Sequence, residues 1–330
     1  MAGRIGWVVD EAWVARGDRS PRIVSLLPSA TEIVYALGLS DNLVGVTHEC
    51  DFPAGAREKP HLTASSLPSA SNAAEIDRHV RASLHQGSSL YALDADLLER
   101  LQPDLIVTQE LCEVCAVSYE IVARAAKRLR GDPRIVSLEP SSLEDVFANI
   151  VTVGALARRE PEAETLVAAL RARAARVADR VAGRPRPRTL VLEWTDPPMS
   201  GGHWTPGLVE LAGGEPLLAN PGANSQTLAW DAIANADPDV VLVAPCGFGM
   251  DATLRAIAEL DAIDAWRDLR AYRTGRIYAI DGNAYVNRPG PRLIDTAEIF
   301  ASALFDDPFG AALEDAHALR RLEHGIATVP

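Results

Sequence analysis

Short runs of apolar residues alternate with helix-like patterns through the first half of this 330-residue chain. Four runs predict buried strands, at Arg22–Leu27, Leu43–Val46, Asp104–Thr108 and Arg134–Leu138. The first helix-like pattern runs from Pro28 to Leu37, and Ser29 and Glu32 have the spacing of a capping box at its start. Strands that alternate with helices predict a parallel, doubly wound sheet.

The middle of the chain has a different pattern. Ser142–Arg158 and Pro161–Ala182 are predicted as helices, and the second carries one apolar stripe. The strand–helix pattern then restarts, with strands predicted at Thr189–Glu193, Val240–Ala244 and Arg276–Ile280. We therefore expect an α/β protein with two Rossmann-like lobes, each with a parallel sheet, joined by a long rigid helix and separated by a cleft. The expected divisions are an N-terminal extension (1–21), a first lobe (22–140), connecting helices (141–186) and a second lobe (187–330).

In open α/β sheets, ligands bind beyond the carboxyl ends of the strands. The candidate residues of the first half therefore include Ser29, His48, Glu49 and Gln109, which follow predicted strands. The four cysteines lie in such loops as well: Cys50, Cys112, Cys115 and Cys246. Thiolate and imidazole are ligands for zinc, iron or cobalt, so these cysteines could hold a metal ion together with a histidine. The alternative is that each cysteine is a small buried packing residue.

The segment Pro197–Trp204 is the most unusual loop of the second half, with two prolines and two glycines. Gly201 and Gly202 would allow close approach of a ligand to the backbone. His203 is then a candidate axial or hydrogen-bonding group, and Trp204 lies beside it. Trp194 and Tyr285 could stack on a planar ligand, although aromatic side chains also pack in cores.

Composition and charge narrow the classes of partner. Basic residues number 32 and acidic residues 45, which gives a net charge of −13. Such a surface repels phosphate groups, so we expect no nucleic-acid partner. No apolar run reaches the roughly 20 residues of a membrane span, so no membrane insertion is expected either. The start of the chain does not have the pattern of a secretory signal. As written, the protein is expected to be cytoplasmic with reduced thiols, and periplasmic or extracellular if the start codon is misassigned.

Enzyme signatures are absent from the sequence. It contains no G-x-G-x-x-G or Walker loop, no G-x-S-x-G nucleophile elbow and no H-E-x-x-H. The first of these absences disfavours nucleotide binding of the Rossmann and Walker types.

Several segments resemble a known family. They are SLLPSATEIVYALGLSDNLVGVTHECDFP, LERLQPDLIVTQ, MSGGHWTPGLVELAGGEPLL, NADPDVVLVAPCG and GPRLIDTAEIF. They are similar to the periplasmic-binding-protein family of iron–siderophore, haem and cobalamin ABC importers, and most similar to its cobalamin-binding branch. The resemblance implies two α/β lobes on a helical backbone, a ligand held in the cleft and no catalysis.

The resemblance also implies roles for particular residues. Asp96 and Asp231 match the acidic residues, one in each lobe, through which the family docks on an ABC permease. Around the corrin, Glu49 stands where an aromatic residue is expected, and two other such positions are matched by Tyr91 or Leu90 and by Ser225. The implied ligand is cobalamin or another corrinoid.

Three hypotheses follow. The first is a non-catalytic protein that binds a corrinoid or a related metal chelate. The second is a cytoplasmic metal-site protein, with zinc or an iron–sulfur cluster held by the four cysteines. The third is an importer receptor whose export signal lies upstream of a misassigned start codon.

Overall fold

The computed structural model describes residues 19–66, 72–85, 90–109, 119–129, 132–310 and 318–322. These residues form two compact units. The first unit takes its described residues from Met1–Leu67, Ser83–Glu139 and Asp145–Ala169. The second takes them from Pro68–Ala82, Pro140–Glu144 and Leu170–Pro330.

The first unit is built on a parallel sheet. Its described strands are β1 (Ile23–Ser25), β2 (Leu43–Gly45), β3 (Thr63–Ser65), β4 (Tyr91–Leu93), β5 (Leu105–Thr108) and β6 (Arg134–Ser137). Four of them pair in the order β2-β1-β5-β6, all in parallel. Val24 and Ile106 are fully buried in the core of this unit, as both faces of a parallel sheet require. Strands β3 and β4 form a separate antiparallel hairpin.

The described helices in this part of the chain are α1 (Pro28–Ala36), α2 (Ala73–His85), α3 (Ala95–Leu101), α4 (Tyr119–Ala126), α5 (Leu143–Ala157) and α6 (Glu160–Val181). The capping box expected at α1 is wrong, because the helix begins at Pro28 and no side chain caps it. Proline fits the first helical position, where its missing N–H has no partner to lose. Ser29 therefore lies inside the first turn, with only 3% of its surface exposed.

The second unit contains a larger mixed sheet. Its described strands are β7 (Arg188–Thr195), β8 (Pro198–Ser200), β9 (Glu215–Pro216), β10 (Val240–Val243), β11 (Ile277–Ile280) and β12 (Leu319–Arg321). The order is β12-β11-β10-β7-β8, and β9 also pairs with β7. The strands β7, β9, β10 and β11 pair in parallel, whereas β8 and β12 are antiparallel edges.

Six described helices of the second unit follow β7 in the chain, and several of them pack on this sheet. They are α7 (Thr205–Leu211), α8 (Trp230–Ala236), α9 (Met250–Leu260), α10 (Asp264–Arg267), α11 (Arg270–Arg273) and α12 (Leu293–Phe305). Leu190, Val241, Ile257 and Trp266 belong to one buried cluster between sheet and helices. The Trp266 indole N–H donates to Asp261 at 3.2 Å, so the largest buried side chain keeps a polar partner.

A partly buried ion-pair network holds the C-terminal half of α6 within the second unit. Arg173 donates to Asp295 at 2.5 Å and to Glu298 at 2.7 Å, both on α12. The Glu298 side chain is only 5% exposed, so removal of Arg173 would leave a buried carboxylate without this partner. The expected α/β class with parallel sheets is confirmed by these two units.

The close packing between the end of α5 and the start of α6 yields a stability prediction. A Cβ added at Gly154 would lie 2.5 Å from the Ala163 Cβ and 3.1 Å from the Arg159 carbonyl oxygen. Gly154→Ala should therefore lower the free energy of unfolding by about 1–3 kcal/mol through overpacking. Urea denaturation followed by circular dichroism measures this change.

The matched control is Gly207→Ala in α7, where an added Cβ meets no atom within 4 Å. That change should leave stability unaltered or raise it by up to about 1 kcal/mol, since alanine favours helix. If Gly154→Ala and Gly207→Ala unfolded at the same urea concentration, the expected clash of an added Cβ at Gly154 would be contradicted.

Candidate functional site

The carboxyl ends of the parallel strands in the first unit carry a group of polar and aromatic side chains. The loop after β2 contains His48 and Glu49, and Tyr91 begins β4. The His48 and Tyr91 rings lie 5.7 Å apart, tilted by 51°. The Tyr91 hydroxyl donates to Glu49 Oε1 at 3.2 Å, and Thr63 Oγ1 lies 2.7 Å from His48 Nδ1. Three of the predicted ligand residues are therefore neighbours, and all three are half-buried.

Other predicted residues of the first unit lie in its interior. Cys50 is 1% exposed, and its sulfur lies 3.1 Å from Thr31 Oγ1 and 3.4 Å from Thr47 Oγ1. Gln109 is 6% exposed, and Ser29 is similarly buried. For Cys50, the surroundings are those of a packing residue whose thiol meets hydroxyl groups.

The expected cysteine site finds no support in the described part of the chain. Cys112 and Cys115 lie outside the described residues. Cys246 is exposed, whereas Cys50 is buried. Among the residues that the structure describes, no group of three or more His, Cys, Asp or Glu side chains could hold a metal ion.

In the second unit, Glu193 at the end of β7 organises the predicted ligand loop. Its carboxylate accepts from Ser225 Oγ at 2.6 Å, from Thr205 Oγ1 at 2.8 Å and from the Gly202 N–H at 3.3 Å. Burial raises the pKa of Glu193, and these three hydrogen bonds partly oppose that effect. One carboxylate thus joins the loop before α7 to the segment around Ser225.

The glycines of this loop are needed by the protein's own packing. A Cβ on Gly202 would lie 2.3 Å from the Ser225 backbone nitrogen, and one on Gly201 would lie 2.5 Å from the Thr205 Cγ2. Such contacts exclude any side chain. The structure therefore gives these glycines a reason that is independent of a ligand.

His203 is held in the left-handed region, with φ of +49°. Its N–H donates to the Ala223 carbonyl at 2.6 Å, and its ring stacks on Trp204 at 5.5 Å. Its Nε2 is buried and has no hydrogen-bond partner among the described residues. Burial lowers the pKa of His203, while a hydrogen bond with Asn224 raises it. The arrangement favours a neutral imidazole that supports the loop.

Trp204 and Tyr285 are also inside the unit. Trp204 is 8% exposed and donates its indole N–H to the Val286 carbonyl at 2.9 Å. Tyr285 is 7% exposed, and the Arg292 guanidinium lies 5.6 Å from the centre of its ring. Burial and a hydrogen bond of the indole N–H hold Trp204, and burial with a guanidinium over the ring face holds Tyr285.

A half-buried aromatic pair lies at the carboxyl ends of β7 and β10. Trp194 and Phe248 meet edge to face, with ring centroids 5.2 Å apart, and the Trp194 indole N–H donates to the Asp196 carbonyl at 3.0 Å. Cys246 lies two residues before Phe248 and is exposed. Sequence reasoning missed Phe248, although its segment APCGFG directly follows a predicted strand.

The two predicted docking acids occupy equivalent local positions. Asp96 and Asp231 each lie in the first turn of a short helix, α3 and α8, where the helix dipole stabilises negative charge. Both are exposed, and the Asp96 side chain is 75% exposed. Arg128 donates to Asp96 at 2.9 Å and to Glu99 at 3.1 Å.

Comparison with known proteins identifies the family of this chain. A family model described as "Periplasmic binding protein" matches residues 23–284. The chain belongs to this family. Members of this periplasmic binding protein family act in ABC import systems, so the chain is a substrate-binding protein of that kind. The resemblance found in the sequence predicted a binding protein without catalysis. This prediction is confirmed, because the proteins to which the chain is similar are solute-binding proteins and not enzymes.

Two relatives and one solved structure illustrate the similarity. A cobalamin-binding protein of Halobacterium salinarum is 26% identical over 286 residues, covering 86% of this chain and 69% of that protein. The uncharacterized ABC transporter substrate-binding lipoprotein YvrC of Bacillus subtilis is 25% identical over 298 residues, covering 87% and 81%. The periplasmic heme-binding protein RhuT from Roseiflexus sp. RS-1 superposes with a TM-score of 0.67 at 24% identity, covering 88% and 99%.

These relatives correct the expected location. The matching family is that of periplasmic binding proteins and the Bacillus subtilis relative is a lipoprotein, which points this periplasmic binding protein to a periplasmic or extracellular location rather than the cytoplasm. The cytoplasmic metal-site hypothesis loses its support for the same reason. Among the helices that the structure describes, none has the length and apolar character needed to cross a membrane.

The buried Glu193 generates a prediction about pH. Because its pKa is raised in the fold, the folded protein binds this proton more tightly than the unfolded chain does. Its contribution to stability therefore falls as the pH rises from the ordinary carboxylate pKa through the raised one. Glu193→Gln cannot ionise, so its stability relative to the wild type should increase across that window. Urea denaturation at several pH values between about 4 and 8 measures the difference.

The control is Glu210→Gln, which alters an exposed carboxylate in α7. Its stability difference from the wild type should stay nearly constant with pH. If the stability difference between Glu193→Gln and the wild type were equally independent of pH, burial of the Glu193 carboxylate would not make the stability of the protein depend on pH.

Proposed function

We propose that this protein captures a planar metal chelate of the corrinoid or haem class and presents it to an ABC permease, and that a corrinoid is the ligand. The choice of a corrinoid is supported by the Halobacterium salinarum relative, which is named a cobalamin-binding protein. The haem class is supported by the fold shared with the Roseiflexus heme-binding protein.

The observation that carries the proposal is the Trp194–Phe248 pair. Two aromatic rings in edge-to-face contact at the carboxyl ends of β7 and β10 remain only half-buried. Aromatic surfaces at strand ends are where α/β proteins bind ligands, and they suit the flat face of a macrocycle. By contrast, Trp204 and Tyr285 are too deeply buried to offer a ring face.

Delivery to a permease is the second part of the proposal. Asp96 and Asp231 are exposed, and each has the same position in the first turn of its helix. Carboxylates in such places can form charge-assisted hydrogen bonds with arginine residues of a partner. The match of both positions to the family's docking acids supports their assignment.

Isothermal titration calorimetry with cyanocobalamin, diaquocobinamide and hemin tests the ligand class. We expect binding of at least one corrinoid. Trp194→Ala and Phe248→Ala should each weaken binding about tenfold, since an aromatic contact contributes about 0.5–1.5 kcal/mol beyond its buried area.

The control is Val151→Ala, which removes an exposed apolar side chain from α5, 44% accessible. Its affinity should equal that of the wild type. If none of the three compounds, at about 100 µM, produced heat or a spectral change, corrinoids and haem would be ruled out as ligands of this protein.

The docking proposal has its own test. Asp96→Arg and Asp231→Arg should leave ligand affinity unchanged but weaken capture by the permease, reconstituted in nanodiscs, at least tenfold. Asp179→Arg, which alters an exposed aspartate of α6, is the charge-matched control. If all three variants bind the permease equally, these two acids are not the docking residues.

A further inference from the structure

Strand β7 contains one extra residue where it pairs with β8. Leu192 lies opposite Ser200 in this antiparallel pair. The next two residues in register are Trp194 and Met199. Two steps along β7 therefore match one step along β8, which makes Glu193 the extra residue of a β-bulge. A bulge bends its strand and changes the direction of the side chains beside it, so the direction of Trp194 depends on how Glu193 is held.

The Glu193 side chain is held by three neutral donors. The hydroxyl of Ser225 donates to Oε2 at 2.6 Å, and the hydroxyl of Thr205 donates to Oε1 at 2.8 Å. The Gly202 N–H donates to Oε2 at 3.3 Å. Thr205 is only 1% exposed, so water does not compete for its hydroxyl group. Both carboxyl oxygens have partners, and the group is therefore held in one orientation.

The backbone of Glu193 is connected to the other ring of the aromatic pair. Its carbonyl accepts the Cys246 N–H at 3.0 Å. The Phe248 N–H in turn donates to the Pro245 carbonyl at 3.0 Å, which closes a turn in this loop. Glu193 thus lies between Trp194, its neighbour in the chain, and the loop that carries Phe248.

The donor Ser225 belongs to a segment, 222–228, that lies along β8 and the loop after it. At one end of the segment, the Gly222 N–H donates to the His203 carbonyl at 3.0 Å. At the other end, the Leu228 N–H donates to a carbonyl of β8 at 2.8 Å. Backbone hydrogen bonds on both sides therefore hold the Ser225 hydroxyl in place.

We propose that Glu193 is a positioning residue for ligand capture, which sets the β-bulge and thereby presents the Trp194 ring at the carboxyl edge of the sheet. Ser225 and Thr205 contribute to capture through Glu193, because they fix its side chain. The carboxyl oxygens are engaged by the protein's own donors, so the role of Glu193 is to orient Trp194. The inference rests on the proposed function, since it requires Trp194 to contact the captured chelate.

Isothermal titration calorimetry on the full-length protein tests the inference, with the tightest-binding of cyanocobalamin, diaquocobinamide and hemin. Ser225→Ala removes a donor to Oε2, and Thr205→Val removes the donor to Oε1 while it keeps the shape of the side chain. Each should weaken binding about two- to tenfold, because a positioning residue contributes no more than the aromatic contact that it orients. Thr205→Ser keeps the hydroxyl group and should bind within about twofold of the wild type.

A double-mutant cycle separates positioning from general stabilisation. If Glu193 acts through Trp194, Ser225→Ala should weaken binding in the wild type and have no further effect in a Trp194→Ala background. Equal weakening in the two backgrounds overturns the inference. Wild-type affinity in both Ser225→Ala and Thr205→Val also overturns it.

The matched control is Ser302→Ala, which removes a buried hydroxyl group from α12. This hydroxyl donates to the Glu298 carbonyl at 2.8 Å and accepts the Phe309 N–H at 2.9 Å, so its loss should lower the stability of the protein. The affinity for the chelate should nevertheless equal that of the wild type. If Ser302→Ala weakened binding as much as Ser225→Ala, lost stability would explain both effects and the inference would be overturned.

The failures of the two proposals differ. If Trp194→Ala weakens binding but Ser225→Ala and Thr205→Val do not, the role of Glu193 is wrong and the proposed ligand contact stands. If none of the compounds binds to the wild type, or if Trp194→Ala binds as tightly as the wild type, the proposed ligand contact is wrong and the inference fails with it.

Discussion

Parallel pairing of buried strands is the constraint on which the rest of this structure depends. In the first unit β1 lies between β2 and β5, and in the second β10 lies between β7 and β11. Parallel strands bring all of their carboxyl ends to one edge of the sheet, so residues far apart in sequence become neighbours there. Trp194 and Phe248 meet for this reason.

The sequence predicts most of the parallel strands, because each predicted one contains a continuous apolar run, whereas the two-residue parallel strand β9 (Glu215–Pro216) was not predicted. Val240–Val243 lies inside the run predicted at Val240–Ala244, and Leu105–Thr108 lies inside Asp104–Thr108. The antiparallel pieces were not predicted. Hairpin β3–β4 consists of two strands of three residues each, Thr63–Ser65 and Tyr91–Leu93. Strands this short carry too few positions for an alternating pattern to stand out.

The candidate site was less predictable than the fold, because side-chain direction depends on tertiary packing. Position at a strand end drew attention to His48 and Glu49, but their contact with Tyr91 depends on the hairpin that was missed. The same rule gave Trp204 a ligand role, yet its indole is turned inward to a backbone carbonyl. Sequence reasoning can locate the edge of a sheet, whereas the burial of each side chain there follows from the packing of the loops.

The salt bridge of Arg128 has a consequence for recognition by electrostatics. Asp96 already shares its charge with an arginine of its own chain, so a cationic partner must displace or share that guanidinium. Binding there is an exchange of ion pairs, and it adds less attraction than a bare carboxylate would. Salt screens the internal pair and the external one alike, and the two effects partly cancel. The affinity of a partner that binds at Asp96 should accordingly depend less steeply on ionic strength than the protein's net charge of −13 suggests.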